Sequence, residues 1–215
     1  LTVDDDTVAL KSFSGRRGAG HVTAEGSYDM ESEIGVGTAE LRDLAVEQYL
    51  LDLIPTGSLA DARELWTRWN PEGAFDATLH WSREQGDSEI TLDARPRWIA
   101  FDTGVGRTRA DVDRGECRFR GDAIFVDDLA IRFTSDGALE ERLRINGGYG
   151  LAPEIGILDL DGIIDQGRFE SPAMDEVFRL AIGEGFAEWW RARSPRGEFD
   201  GRFSVSSGGE RGVRV

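Results

Sequence analysis

The side chains that could act as a nucleophile or a general base are few in this chain. Its 215 residues include two histidines, His21 and His80, and one cysteine, Cys117. Both histidines fall on polar positions of predicted strands, where histidine is ordinarily solvated. A Ser-His-Asp or Cys-His site needs a histidine beside its nucleophile. The pattern therefore favours solvent-facing histidines and an inert thiol over nucleophilic catalysis, and it leaves no Cys/His set for a structural zinc.

Acidic pairs are the second source of possible chemistry, because paired carboxylates can transfer protons or hold calcium. The candidates are Asp4–Asp6, Asp127 with Asp128, and Asp159 with Asp161. None follows the calcium-loop spacing, and with 41 Asp and Glu in 215 residues such pairs are expected by chance. The Gly-rich N-terminal stretch lacks the Gly-Lys-Ser/Thr ending of a phosphate loop. We therefore predict no enzyme, no cofactor and no metal site.

The charge balance restricts the partners. Lys and Arg number 25 against 41 Asp and Glu, a net charge of −16, so most faces of the protein would repel a nucleic acid or an anionic membrane. The sequence contains no run of 18 or more apolar residues that could form a transmembrane helix. It begins at Leu1 without an initiator Met and ends at Val215 in a strand-like stretch, which predicts a segment of a longer parent chain.

An internal repeat organises the elements that would position any site. Trp66–Asp76 (WTRWNPEGAFD) returns 124 positions later as Trp190–Asp200 (WRARSPRGEFD), and Gly26–Tyr28 matches Gly147–Tyr149 at a shift of 121. Each Trp motif is typical of a helix that ends at proline and gives way to a Gly turn and a strand, because proline lacks the N–H that a helix interior needs. We predict units of about 120 residues, about 1.7 of them in a single elongated segment spanning residues 1–215.

Two helical inserts are predicted, at about 46–70 and about 172–193. The first combines a short helix closed by Pro55 with a second helix capped by Ser58. The second begins at the N-cap Ser171 and is interrupted near Gly183. Apolar stripes at helical spacing predict that both inserts pack against a sheet. Four tryptophans are expected in that packing: Trp66, Trp69, Trp189 and Trp190.

Residues 8–44 alternate apolar and polar side chains, which predicts a meander of about three strands. Val22 and Tyr28 fall on its apolar face. The stretches 15–18 and 29–32 contain the Gly, Arg, Asp and Ser residues of plausible hairpin turns. This part of the chain is therefore predicted to be an antiparallel sheet with one apolar face.

The alternation resumes after the first insert. Residues 75–94 fit a hairpin that turns at 84–87, Arg95-Pro96 is expected to break the pattern, and residues 97–120 alternate more weakly. Further strands follow, with a change of phase in the apolar residues just before Leu158 that predicts a bulge.

These patterns predict a mainly β fold with helical inserts, in which repeated antiparallel β-meander units form an elongated, curled sheet or groove. A parallel α/β fold is disfavoured, because its helices alternate with single strands, whereas many strands separate these two inserts. Two inserts are too few to cover the long apolar face, and an uncovered apolar face marks a binding surface. The predicted lining of that groove is Val22, Tyr28, Phe75, Leu79, Trp81, Ile90, Leu92, Phe199 and Phe203.

Three motifs resemble those of the AsmA-like proteins of the Gram-negative cell envelope: Gly-x-Tyr strand ends, the Leu-Leu-Asp-Leu-Ile-Pro helix at Leu50–Pro55, and the Trp-x-x-Trp-Asn-Pro-x-Gly-x-Phe-Asp exit at Trp66–Asp76. That family belongs to a wider class of bridge-like lipid carriers, whose repeated β-rich units curl into a groove with an apolar lining. The resemblance implies a periplasmic chain that shelters phospholipid acyl chains during transport between inner and outer membranes. It also implies a parent chain anchored to a membrane outside this segment.

Two further function classes stay open. If the sheets packed on each other as closed sandwiches, the chain would be a non-catalytic interaction or adhesin module that binds protein or glycan through its loops. An acidic hydrolase is the third alternative, and the absence of an evident base disfavours it. Exposure of the apolar sheet residues distinguishes the first two classes, because an open groove leaves them exposed and a sandwich does not.

Overall fold

One antiparallel sheet accounts for most of the chain. The computed structural model describes residues 1–4, 6–48, 50, 59–103, 106–121, 123–135, 141–150, 158–181, 183–208 and 211–214. Its twelve strands lie in the sheet in the order of the sequence, so the predicted antiparallel meander is confirmed. The strands are β1 (Thr2–Asp4), β2 (Thr7–Arg17), β3 (Gly20–Asp29), β4 (Ile34–Ala45), β5 (Glu72–Glu84), β6 (Asp87–Asp102), β7 (Arg107–Arg120), β8 (Ala123–Ser135), β9 (Glu141–Gly150), β10 (Leu158–Arg168), β11 (Glu198–Gly208) and β12 (Arg211–Arg214).

Helices occur at the two predicted inserts. α1 (Leu59–Trp69) lies between β4 and β5, and α2 (Pro172–Ala181) and α3 (Glu184–Arg193) lie between β10 and β11. The predicted short helix closed by Pro55 and the predicted cap at Ser58 lie outside the described residues. Both inserts therefore connect strands that are neighbours in the sheet.

The second insert begins and divides as predicted. Ser171 Oγ accepts the backbone N–H of Ala173 at 3.1 Å and of Met174 at 3.4 Å, which satisfies donors of the first turn that have no partner within the helix. The division between α2 and α3 falls at Gly183, whose φ is 117°, a backbone conformation that glycine adopts without a steric penalty.

The register of the strands separates an apolar face from a polar one. Directly opposed residues of an antiparallel pair point to the same side of the sheet. Leu79 is paired with Ala39 on one side and with Leu92 on the other, and Trp81 is paired with Ile90. Because side chains alternate along each strand, the apolar residues gather on this face.

The opposite face carries ion pairs between neighbouring strands. Arg118 Nε lies 2.8 Å from Asp93 Oδ1, and Arg120 Nε lies 2.8 Å from Glu89 Oε1. Each of these exposed pairs contributes only about 0–1 kcal/mol to stability. The polar face is therefore a solvated surface whose charges match across strands.

The two Trp motifs have the same backbone hydrogen bond at their exits. The Val46 N–H donates to Gly73 O, and the Phe169 N–H donates to Gly197 O, each at 3.0 Å. α1 and α3 both end just before the proline of the motif, and the strand starts just after it. The prediction that Pro71 marks a helix-to-strand exit is confirmed, as is the same prediction for the second copy.

The repeat extends to a bulge in the preceding strand. In β4 the Asp43 N–H donates to Asp76 Oδ1 at 2.7 Å, and in β10 the Gln166 N–H donates to Asp200 Oδ1 at 2.9 Å. Asp43 and Gln166 have φ values of 52° and 58°. The acceptors are the last residues of the two Trp motifs, so the final Asp of each motif fixes a bulge that twists the neighbouring strand.

Two details of the predicted strands are wrong, and a third lies outside the described residues. β2 continues to Arg17, so the first hairpin turns at Gly18 and not at 15–18. β6 passes through Pro96, because a register shift between Ala94 and Trp98 accommodates a residue without an N–H. The bulge of β10 lies between Ile164 and Gly167; the predicted change of phase before Leu158 rested on residues 155–157, which are outside the described residues.

The hydrophobic core lies where α2 packs on the sheet. Met174 of α2 is fully buried, and Leu143 of β9 is 4 % exposed. Other aromatic and aliphatic residues surround this cluster, among them Phe178 of α2 and Phe203 of β11. We call the cluster the roofed core, and its members are Ala110, Phe133, Leu143, Ile164, Ala173 and Met174.

The helical tryptophans do not all pack inward. Trp66, Trp69 and Trp190 are half-buried, and the Trp69 ring lies 5.6 Å from that of Phe101 on β6. Trp189 is 46 % exposed, so its predicted packing is wrong. Successive residues on a helix point about 100° apart. Because α3 directs Trp190 inward, Trp189 points toward solvent.

Candidate functional site

The part of the apolar face that belongs to β3–β6 is open in the described structure. Ile90 is 55 % exposed, and the other lining residues of these strands are half-buried. The main contacts of the described helices with the sheet fall on β6, β7 and β8. We call this region the open apolar face, and it consists of Val22, Tyr28, Leu79, Trp81, Ile90 and Leu92.

Trp81 lies flat across the neighbouring strand because that strand presents glycine. A Cβ atom at Gly35 would lie 2.6 Å from Trp81 Cη2 and 2.7 Å from Tyr28 Cδ2, too close for any other residue without displacement of the rings. The two aromatic rings are 6.5 Å apart, and the Arg83 guanidinium lies 5.9 Å from the Tyr28 ring. This end of the face is therefore a broad aromatic surface.

Small side chains form a row across the strands beside the larger ones. Ala77 is paired with Leu41 and with Ala94, and Ala94 is paired with Cys117. The parallel row next to it contains Leu79, Leu92 and Phe119. Ala77 is 6 % and Ala94 is 9 % exposed, so this row of small side chains is buried, whereas Leu79 and Leu92 beside it are half-buried.

The Cys117 thiol belongs to this row of small side chains and not to a reactive centre. Burial raises its pKa, and the nearby Glu116 carboxylate raises it further. Because the thiolate is the nucleophilic form, both effects reduce its reactivity.

Three predicted lining residues lie away from the open apolar face. Phe75 is paired with Leu44, which is 5 % exposed, and sits near the exit from α1. Phe199 stacks on Phe169 at 4.5 Å, and Phe203 packs on the roofed core. The second-copy residues are on the predicted side of the sheet, but they are half-buried and pack against the roofed core.

The predicted chemical side chains do not converge. His21 Nε2 lies 3.0 Å from Ser14 Oγ, and His80 Nδ1 lies 3.5 Å from Thr38 Oγ1, both at exposed positions of the polar face. For the Ser14–His21 pair, the described residues show no carboxylate that orients the ring from its other nitrogen. In the same described ranges, no group of three or more His, Cys, Asp or Glu residues could hold a metal ion.

The aspartate pairs serve the backbone and ion pairing. Asp128 forms an ion pair with Arg114 at 2.9 Å, and its N–H donates to Asn146 Oδ1 at 2.6 Å in a third bulge of the same kind. Asp159 and Asp161 lie on the polar face of β10. Asp5, within the first cluster, is outside the described residues.

A depression on the polar face was not predicted from the sequence. Its volume is about 640 Å³, and its lining includes Glu25, Thr38, His80, Glu89 and Arg120. Acidic and basic groups are mixed in it, and the Arg120–Glu89 ion pair occupies part of the wall. Its lining also includes Val36, which is 55 % exposed, and part of Trp81, so the depression combines charged and apolar contacts.

Buried carboxylates attach the helices to the sheet. Glu141 is 4 % exposed and accepts hydrogen bonds from the Ser171 hydroxyl and the Arg168 N–H. Burial raises the pKa of the Glu141 carboxyl, while these two hydrogen bonds oppose the shift. This contact has no local signature in the sequence, because Glu141 and Ser171 are 30 positions apart.

A second buried carboxylate joins the two inserts. Glu176 of α2 is 3 % exposed and accepts the Trp69 Nε1–H of α1 at 2.5 Å. Arg179 pairs with it from α2, and Arg68 lies 3.5 Å away on α1. Glu176 therefore links the end of α1 to α2.

The comparisons with known proteins found no relative. No protein-family model matches this chain, and neither a curated protein nor a solved structure matches it. In the described part of the chain, every helix is too short or too polar to cross a membrane.

Proposed function

We propose that this chain is a segment of an AsmA-like cell-envelope protein whose open apolar face shelters phospholipid acyl chains during transport between membranes. The observation that carries the proposal is a long meander sheet with a continuous apolar face, of which the described helices cover the roofed core. A soluble protein rarely leaves a large apolar face open unless that face binds something apolar.

The side chains of the open apolar face match an acyl chain. Leu79, Leu92 and Ile90 are aliphatic, and Tyr28 and Trp81 add aromatic surface at one end. Each methylene removed from water contributes about 0.8 kcal/mol. About ten methylenes in contact would contribute about 8 kcal/mol before the costs of association. This gain is comparable to the cost of association, which is about 4–15 kcal/mol.

The function requires a lining and no catalytic group. Under this proposal the ion-paired face of the sheet faces water, and the phospholipid headgroup stays outside the open apolar face. The proposal places the chain in the periplasm, with the parent chain anchored to a membrane elsewhere, as the resemblance to AsmA-like proteins implies. Sequential bulges twist the strands and would help to curl the sheet around its ligand.

The interaction-module alternative has less support. A closed sandwich needs a second sheet over the apolar face, and all twelve described strands belong to one sheet. A protein or glycan could still use the polar depression, but its mixed charges and open shape match no particular partner. Lipid binding remains the function that the exposed side chains favour.

Native mass spectrometry of the protein purified from a bacterial host tests the proposal. We expect phospholipid to be retained as mass adducts, because the open apolar face would otherwise be hydrated. The delipidated protein should then bind a fluorescent fatty acid, and added phospholipid should displace it. A bare mass together with no fatty-acid binding would contradict the proposed function.

A further inference from the structure

α3 has an inner and an outer side of different chemistry. Ala187 is fully buried, and Trp190 is half-buried and donates its Nε1–H to Phe169 O at 3.0 Å. On the outer side, Trp189 is 46 % exposed. Its ring stacks on Phe186 at 5.5 Å, and the Arg193 guanidinium lies 4.1 Å from its ring centroid. An ordered, solvent-facing indole beside a guanidinium is an unusual use of the largest apolar side chain.

The charge around Trp189 differs from that of the rest of the molecule. Residues 189–197 contain three arginines and no acid, in a chain with 41 Asp and Glu against 25 Lys and Arg. Arg191 is engaged with Glu184 at 2.7 Å. Arg193 in the last turn of α3 and Arg196 just beyond the helix are both exposed, and the Arg196 guanidinium helps to lower the pKa of the Glu170 carboxyl. Glu188 points about 100° away from Trp189 around the helix. We call Trp189, Arg193 and Arg196 the Trp–Arg stripe.

We propose that the Trp–Arg stripe docks this chain on the headgroup layer of a phospholipid membrane that carries anionic lipid. Indole rings favour the headgroup level of a bilayer, where one part of the ring is apolar and its N–H is hydrated. Guanidinium groups bind phosphate oxygens through two parallel hydrogen bonds. Most of the acidic surface is repelled by such a membrane, so the stripe would also set the orientation of the docked chain.

The stripe is connected to the apolar side of the sheet by touching aromatic rings. Trp189 contacts Phe186, Phe186 contacts Trp190, Trp190 contacts Phe169, and Phe169 stacks on Phe199 of β11, with centroid separations of 5.5, 5.7, 5.3 and 4.5 Å. A membrane docked on α3 would thus lie next to the roofed end of the apolar face. The inference rests on the proposed function, because docking places a lipid-binding face beside its source of lipid.

Vesicle flotation tests the docking surface. The wild-type protein is compared with Trp189→Ser, Arg193→Glu and the matched control Arg16→Glu, which makes the same charge change at an exposed site on β2. Vesicles are phosphatidylcholine with or without phosphatidylglycerol. We expect the wild type and the control to float with the anionic vesicles. The Arg193→Glu variant should bind these vesicles at least about tenfold more weakly than the wild type. Trp189→Ser should weaken binding to both kinds of vesicle.

Binding of a fluorescent fatty acid without vesicles separates the two proposals. All three variants should bind it like the wild type, which shows that they are folded and that the open apolar face is intact. Equal flotation of Arg193→Glu and the wild type, or an equal loss in Arg16→Glu, would overturn the docking surface. Flotation that depends on Arg193 without any fatty-acid binding would support the docking surface and overturn acyl-chain binding.

Discussion

The roofed core and the open apolar face are made by the same sheet with the same alternation of residues, yet one is interior and the other surface. Leu143 of the roofed core is 4 % exposed, and Ile90 of the open apolar face is 55 % exposed. Both point to the apolar side, and neither carries a polar group. The difference comes from the helices, because α2 supplies Ala173 and Met174 to the first region.

This comparison separates two roles of apolar side chains. In the roofed core they stabilise the fold, because the full burial of one such side chain contributes about 1.5–3 kcal/mol to the free energy of unfolding. On the open apolar face the same residue types contribute less burial free energy to folding. They can contribute more when a ligand covers them and removes them from water. The predictions below test this separation, from the largest expected change in stability to the smallest.

A charge in the roofed core should prevent folding. In Leu143→Asp the carboxylate is trapped beneath α2 without a partner, which costs several kcal/mol and is comparable to the whole stability of an ordinary domain. Circular dichroism during heating should show no cooperative transition. A variant that melts like the wild type would mean that α2 does not cover this position in solution.

Adjacent tryptophans of α3 should differ sharply. Trp190→Ala removes ring contacts with Phe169, Phe178 and Phe186 and one hydrogen bond, so we expect a loss of about 3–5 kcal/mol. Trp189→Ala is the matched control, and its loss should be below about 1 kcal/mol because the side chain is 46 % exposed. Chemical denaturation measures both. Equal losses would show that the outer side of α3 is also packed.

The roofed core should depend on pH through Glu141. Its folded pKa is raised by burial, so its contribution to stability is present in full below the ordinary carboxyl pKa of about 4.3 and is lost as pH rises through the folded value. Glu141→Gln should therefore flatten the decline of the melting temperature as pH rises above about 4.

Glu84→Gln provides the control for this pH effect, because Glu84 is exposed at the end of β5. Its melting curve should follow the wild-type dependence on pH. A Glu141→Gln variant with the unaltered wild-type slope would show that Glu141 is not the group responsible. Asp175, whose pKa burial also raises, would account for any slope that remains.

The sheet was predictable because its determinants are local. The turn between Glu84 and Asp87 contains Gln85 and Gly86 with φ values of 51° and 92°, which suits a two-residue hairpin. Such a turn fixes the register, so the pairing of Leu79 with Leu92 follows from counting outward from it. Helix exits at the two Trp motifs were predictable for a similar reason, since proline acts on its own neighbours.

The part of the apolar face that the helices cover was not predictable, because helix packing depends on contacts between segments that are distant in the sequence. Phe203 and Leu79 occupy equivalent alternating positions and are both half-buried, yet only Phe203 packs against the roofed core. Trp69 of α1 meets Glu176 of α2 across 107 positions. Helical spacing put both Trp189 and Trp190 in the packed set, whereas the orientation of α3 allows only the second to face inward.

The smallest change in stability is expected on the open apolar face, where it should accompany the largest change in binding. Leu79→Asp puts a carboxylate in a half-exposed position where water can still reach it. His80→Asp is the matched control, because the neighbouring side chain points to the polar face. We expect both variants to melt within a few degrees of the wild type, since surface substitutions change stability by about 0.5 kcal/mol.

Fluorescent fatty-acid binding by Leu79→Asp and His80→Asp, measured beside their thermal unfolding, tests the central claim most directly. An open apolar face that shelters acyl chains predicts that Leu79→Asp stays folded and loses binding, because a passing chain would have to dehydrate the carboxylate. His80→Asp should stay folded and bind like the wild type. An unfolded Leu79→Asp would show that the face is a closed core, and a folded Leu79→Asp with undiminished binding would place the lipid elsewhere.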